Sequence, residues 1–174
     1  VGEEAYVAPS VSENLGLFFL QEKDLEGWHI EVGGRYESQS VDTESDFSDY
    51  RDSGGSLSLG AGFNLNDSLT LKSFYSHTKR LPSAEELYAD GFHPATNATE
   101  LGLITLREEF GVGDSVKQEL ARNLDVAMVG KWQSFDFTLN LFRNQVDHYT
   151  FLVPMALEED EDEDDDHDHE HEGE

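Results

Sequence analysis

The chain has 174 residues, of which 38 are Asp or Glu and 11 are Lys or Arg, giving a formal net charge of −27. Phosphate-binding surfaces need basic patches, so this balance argues against a nucleic-acid partner and favours cations. The absence of cysteine excludes disulfides and thiolate metal sites. The length suits one domain or a piece of something larger.

Apolar and polar residues alternate along six runs of strand length, and this period predicts an all-β protein. The runs cover 11–22, 27–37, 55–64, 68–78, 119–132 and 134–149. In the second run, Trp28, Ile30 and Val32 fall on one face, whereas His29 and Glu31 fall on the other. We therefore expect strands with one apolar and one polar face.

The connections between the runs alternate between short and long. Tight turns are predicted at 23–26, 65–67 and 133, and long polar segments at 38–54, 79–118 and from 150 onward. Outer-membrane β-barrels combine short periplasmic turns with long outer loops in this way. Runs of roughly 10 residues also suit an oblique crossing of a membrane. The pattern predicts an antiparallel transmembrane β-barrel segment of about six strands, with a soluble β-sandwich as the alternative.

Aromatic residues near both ends of the runs favour the membrane barrel, because barrels carry aromatic girdles at both membrane interfaces. Trp28, Phe63 and Trp132 lie beside short turns, and Tyr36, Tyr75 and Tyr149 lie near long loops.

One helical signal lies inside the second long loop. Ser83 followed three residues later by Glu86 forms a capping-box pattern ahead of Leu87. We expect a helix of one or two turns that ends at Gly91.

The same loop carries a family motif. Residues 80–102, RLPSAEELYADGFHPATNATELG, resemble the signature R-x-P-S…E-L-Y…G-x-H-x-A-T…E-x-G of TonB-dependent outer-membrane receptors. KQELARNLDVAM (117–128) and FDFTLNLFRNQVDHYTFL (135–152) follow in the order of the family pattern. The resemblance covers most of the chain from 11 to 152.

This resemblance implies a barrel of about 22 strands, with an N-terminal plug domain and uptake powered through the TonB complex. Residues 1–157 would form about six of those strands, embedded in outer-membrane lipid, with no plug in this chain. We therefore expect a barrel segment that cannot transport a ligand alone.

The last stretch, 158–174, reads EEDEDEDDDHDHEHEGE, in which 13 of 17 residues are acidic. In an extended chain, His167, His169 and His171 share one face, and the other face carries Asp168, Glu170 and Glu172. Neutral imidazoles at this spacing suit Zn²⁺, Cu²⁺ or Ni²⁺. Because its like charges repel, we expect this extracellular tract to be disordered without metal and to collect ions. A solvated acidic tail, or a Ca²⁺ buffer that uses oxygen ligands alone, is the alternative.

Within the family, a His-rich and acid-rich outer loop resembles the zinc-uptake (ZnuD-type) branch. That implies metal uptake, with zinc as the transported ligand and no catalytic cofactor. His93 lies at a position that the family motif shares widely. We expect it to pack or hydrogen bond inside the loop, with zinc ligation as its weaker role.

The sequence contains none of the motifs G-x-S-x-G, P-loop or H-E-x-x-H, so an enzyme is not expected. Two other functions remain open. One is a receptor of the same fold for haem or another metal complex, and the other is a soluble cation-binding or adhesive β-protein with an acidic tail.

Overall fold

The computed structural model describes residues 6–95, 97–113 and 115–151. In chain order the elements are β1 (Ser10–Leu25), β2 (Trp28–Thr43), β3 (Tyr50–Asn66), β4 (Leu69–Arg80), α1 (Ala84–Tyr88), β5 (Asp90–His93), β6 (Ala98–Leu101), α2 (Leu103–Glu109), β7 (Glu119–Lys131) and β8 (Asp136–Asp147). Neither of the helices in these ranges is long or apolar enough to cross a membrane.

Six strands form one antiparallel sheet in the order β1-β2-β3-β4-β7-β8. Each strand pairs with the next long strand along the chain, and the α1-β5-β6-α2 segment is inserted between β4 and β7. Within the described residues the sheet is open, with β1 and β8 as its edges. The predicted all-β antiparallel fold is confirmed, and each predicted run overlaps one strand of this sheet.

The strand register gives the sheet two unlike faces. Residues paired across an antiparallel sheet point the same way, and neighbours along a strand point to opposite faces. One row of paired residues is apolar: Leu25, Trp28, Phe63, Leu71, Met128 and Leu139. The adjacent row is mostly polar: Asp24, His29, Gly62, Lys72, Ala127 and Asn140. We call these sides the apolar face and the polar face.

Nothing in the described residues covers the apolar face. Leu17 and Leu141 are each 66% exposed, and Leu59 near the middle of the sheet is 52% exposed. Polar exceptions on this face include Gln21 and Arg143, which both lie on edge strands. An exposed apolar surface of this extent needs an apolar neighbour, and bilayer hydrocarbon provides one.

Aromatic side chains cluster at the end of the sheet that carries the short turns. The rings of Trp28 and Phe63 lie 4.5 Å apart, centroid to centroid. Trp132 stacks on Phe135 at 4.9 Å and on Phe137 at 5.6 Å. These contacts give the short-turn end the amphipathic rings that favour a membrane interface.

The predicted long loop at 38–54 is too long. Strands β2 and β3 continue to pair through most of it, with Ser38 opposite Ser53 and Val41 opposite Tyr50. Only residues 44–49 connect the two strands. The pairing continues because Val41 and Tyr50 turn into a buried core, which the polar composition of the segment hides.

That core belongs to a folded unit that we call the long-loop end, comprising the described residues of 6–9, 38–53 and 81–118. Its buried members are Val41, Tyr50, Leu87, Tyr88 and Ile104. The Tyr88 hydroxyl donates to the backbone oxygen of Ser48 at 3.0 Å. Gly102 lets the two helices approach, because an added Cβ would lie 2.4 Å from the Leu87 backbone.

The capping box is present as predicted, and the helix has the expected one to two turns, but it ends earlier than expected. The Ser83 side chain accepts from Glu86 N, and the Glu86 carboxylate accepts from Ser83 N at 2.8 Å. Helix α1 ends at Tyr88, not at Gly91, which lies in β5. The chain leaves the helix early because Ala89 bridges to Val7 and Asp90 N donates to Tyr6 O at 2.6 Å. The β5–β6 hairpin and α2 were not expected.

Candidate functional site

Three side chains from three different elements converge in the long-loop end. Glu85 lies in α1, His93 in β5 and Glu100 in β6. Each offers one ligand atom, and these atoms all lie within 4.8 Å of one another. His93 Nδ1 and Glu100 Oε2 are hydrogen bonded at 3.1 Å. We call this group the Glu–His–Glu cluster.

The local fold explains why these side chains meet. His93 pairs with Ala98 and Gly91 pairs with Glu100 in the β5–β6 hairpin, so His93 and Glu100 are diagonal neighbours on one face. Gly91 places no side chain between them. Its φ of 139° is a backbone conformation that glycine adopts readily and other residues rarely adopt. The capping box holds the first turn of α1, which carries Glu85.

Tyr6 covers the cluster from the N-terminal segment. Its ring stacks on the His93 ring, with centroids 4.2 Å apart and planes 14° from parallel. Its hydroxyl donates to Glu85 Oε1 at 2.8 Å. The pKa of Tyr6 is raised to about 12, first by this hydrogen bond and then by burial and the charges of Glu85 and Glu100. Tyr6 therefore remains a neutral phenol that donates to the cluster.

Glu100 is the most deeply placed member of the cluster, with 4% of its surface exposed. The side chain of His93 is 22% exposed and is therefore less deeply buried than that of Glu100. A buried carboxylate needs hydrogen bonds or a cation nearby. One imidazole nitrogen with two carboxylates is also a donor set that zinc accepts.

Ion pairs outside the cluster hold the surrounding elements in place. Arg80 at the end of β4 donates to both oxygens of Glu86, at 2.8 and 3.0 Å, and to Glu119 at 3.0 Å. Glu108 in α2 accepts from the hydroxyl and the backbone N–H of Ser48. These bonds, with a further one from Arg107, lower the pKa of Glu108 to about 2. The helices are thus tied to the ends of the strands.

Among the predicted metal ligands, only His93 lies in the described residues. Its stacking on Tyr6 and its bond to Glu100 are contacts of the packing and hydrogen-bonding kind. Residues 152–174 lie outside the described part, and with them His167, His169, His171, Asp168, Glu170 and Glu172. Their metal binding and the disorder of their tract therefore remain predictions.

The sequence did not indicate Tyr6, Glu85 or Glu100 as partners of His93. Glu100 does stand in the E-x-G step of the quoted motif, and this was the one available signal. Tyr6 and Glu85 are separated by 79 positions, and no short-range pattern joins them.

Together, the antiparallel meander, its lipid-compatible apolar face and its aromatic short-turn end define the wall of an outer-membrane β-barrel. Residues 4–157 match the family model described as "TonB dependent receptor-like, beta-barrel". The chain belongs to this family.

Membership of the family indicates the general class of function. Its members are transporters of the bacterial outer membrane, and they work with TonB to take up a ligand. The soluble β-protein considered from the sequence is therefore set aside. The identity of the ligand is a separate question.

Proposed function

We propose that this chain serves the uptake of a metal ion, with zinc as the ion, in the manner of the ZnuD-type branch. The observation that carries the proposal is the alternation of His167, His169 and His171 with acidic residues in 158–174. Imidazole nitrogen and carboxylate oxygen are both zinc ligands. In this proposal the tract captures the ion and the barrel admits it.

The charge of the tract supports a collecting role. With 13 acidic residues in 17, it raises the local concentration of cations before any specific ligation occurs. The histidines then favour zinc over Ca²⁺, because Ca²⁺ takes oxygen ligands.

The proposed orientation places the long-loop end and the tract outside the cell. Outer-membrane barrels have short periplasmic turns and long extracellular loops, and the turns at Glu26 and at Asp67 are short. The polar face then lines the interior of the barrel, where charged groups such as Glu31, Lys72 and Asp125 would meet water.

The test is calorimetric titration of the full chain in detergent with Zn²⁺ and then with Ca²⁺. The comparison variant carries His167→Asn, His169→Asn and His171→Asn, which keep every carboxylate. We expect the variant to lose the part of the zinc heat that depends on the tract histidines, while Ca²⁺ binding is unchanged. Equal zinc binding by both proteins would mean that the histidines take no part in capture.

Haem is the competing ligand, because histidine is a common axial ligand of haem iron. Addition of haemin to the same two proteins separates the two functions. A receptor for zinc leaves the haemin spectrum unchanged, whereas a haem receptor shifts it in a manner that depends on histidine.

A further inference from the structure

The spacing in the Glu–His–Glu cluster is close to that of metal ligands. Zinc bonds to nitrogen and oxygen are about 2.0 to 2.2 Å long, so two tetrahedral ligand atoms lie roughly 3.4 Å apart. His93 Nδ1 and Glu100 Oε2 are 3.1 Å apart. The Glu85 ligand atom lies within 4.8 Å of the ligand atoms of His93 and Glu100.

The ligands are also held in place before any ion arrives. His93 and Glu100 are fixed by the β5–β6 register, and Glu85 lies in a helix whose first turn is capped. The Glu100 side chain is 5% exposed and the His93 side chain 22% exposed, so both are largely shielded from water. Ligands that are fixed and partly buried before the ion binds favour a specific site.

We propose that Glu85, His93 and Glu100 form a specific binding site for a zinc-type divalent cation in the long-loop end. The site is distinct from the tract at 158–174. The proposal rests on the proposed function only in the choice of zinc as the first metal to test.

Tyr6 covers this site. Its hydroxyl donates a hydrogen bond to Glu85 Oε1, and its ring stacks on one side of the His93 ring. The Tyr6 hydroxyl therefore competes with an ion that binds Glu85 through Oε1. Tyr6→Phe keeps the stacked ring and removes the competing donor, so it should tighten metal binding.

The experiment uses the full chain in detergent with the three tract histidines changed to Asn, so that the tract contributes no imidazole. Zinc affinity is measured by competition with a fluorescent chelator, and Co²⁺ absorption reports the ligand set. We expect one zinc ion per chain in this background. Binding confined to the unaltered chain would overturn the proposed site.

The ligand variants are Glu85→Gln, His93→Asn and Glu100→Gln, and each should weaken zinc binding by more than about 10-fold. The control is Glu109→Gln, an exposed carboxylate of α2, which should leave the affinity unchanged. Tyr6→Phe should bind zinc about 2- to 10-fold more tightly, the equivalent of one hydrogen bond. Unchanged affinity in Glu85→Gln contradicts the proposal, even where the other two variants fail to fold, because this change leaves the His93–Glu100 bond intact.

The two proposals fail in different ways. When the tract substitutions leave zinc binding unchanged but Glu85→Gln abolishes it, capture by the tract is wrong and the cluster site stands. When the tract substitutions abolish all zinc binding, the cluster site is wrong and tract capture stands.

Discussion

The long-loop end and the sheet below it place their apolar side chains in opposite directions. In the described residues, the buried apolar side chains all lie in or beside the long-loop end: Val41, Tyr50, Leu81, Leu87, Tyr88, Ala89, Ala98 and Ile104. In the sheet below, large apolar side chains such as Leu57 and Leu141 point outward, 62% and 66% exposed. The long-loop end buries its apolar side chains away from water, and the sheet exposes its apolar side chains to lipid.

Removal of a buried ring should affect the two regions most unequally. Tyr88 is fully buried, and we expect Tyr88→Ala to destabilise the long-loop end by about 3 to 5 kcal/mol. Hydrogen exchange of the full chain in detergent should show faster exchange in 81–110 and unchanged exchange in the middle of β2 and β3.

The matched control is Tyr75→Ala. Tyr75 is 42% exposed on the apolar face, so truncation there removes contact with lipid and leaves no cavity in a core. A loss of hydrogen-exchange protection in Tyr75→Ala as large as that in Tyr88→Ala would contradict the view that the long-loop end faces water and the apolar face of the sheet faces lipid.

A charge placed on the apolar face should have the next largest effect. Leu59→Arg puts a guanidinium into hydrocarbon near the middle of β3, at a cost of about 2 to 4 kcal/mol. Ser58→Arg puts the same group on the polar face one residue away. Urea unfolding in lipid vesicles should separate the two variants, and equal stabilities would mean that the face assignment is wrong.

The helix cap gives a smaller effect within the long-loop end. Ser83→Ala removes the side chain that accepts from Glu86 N, and we expect a loss of about 1 kcal/mol. Protease cleavage within 84–93 should become faster. Ser83→Asp, which retains a capping acceptor, should restore the original rate.

The smallest expected effect is a dependence on pH. The folded pKa of Glu108 is about 2, below its ordinary value of 4.5, because Ser48 and Arg107 donate to its carboxylate. A lowered folded pKa means that the stabilisation is complete above about pH 4.5 and is lost as pH falls toward 2. The protection factors of the amides in 44–49, which correct exchange rates for the intrinsic effect of pH, should therefore fall below pH 4.5.

Glu108→Gln should remove the part of this dependence that comes from the Ser48 contact. A pH profile identical to that of the unaltered chain would show that other carboxylates loosen the 44–49 connection.

The strands were predictable because their signal is local. A period of two along each run places Trp28, Ile30 and Val32 on one side whatever lies elsewhere in the chain. The capping box at Ser83 is local in the same sense, and so it was also found. The extent of pairing across 38–53 was missed, because it depends on Val41 and Tyr50 meeting residues from α1 and α2.

The strands, their two faces, the family motif and the composition of the acidic tract could all be read from the amino-acid order, since each depends on residues close together in the chain. The meeting of Tyr6, Glu85, His93 and Glu100 could be read only from the folded chain. Their meeting requires a bridge from Val7 to Ala89, a hairpin register and a helix end at Tyr88. Contacts of this kind join distant positions through packing, and no periodicity encodes them.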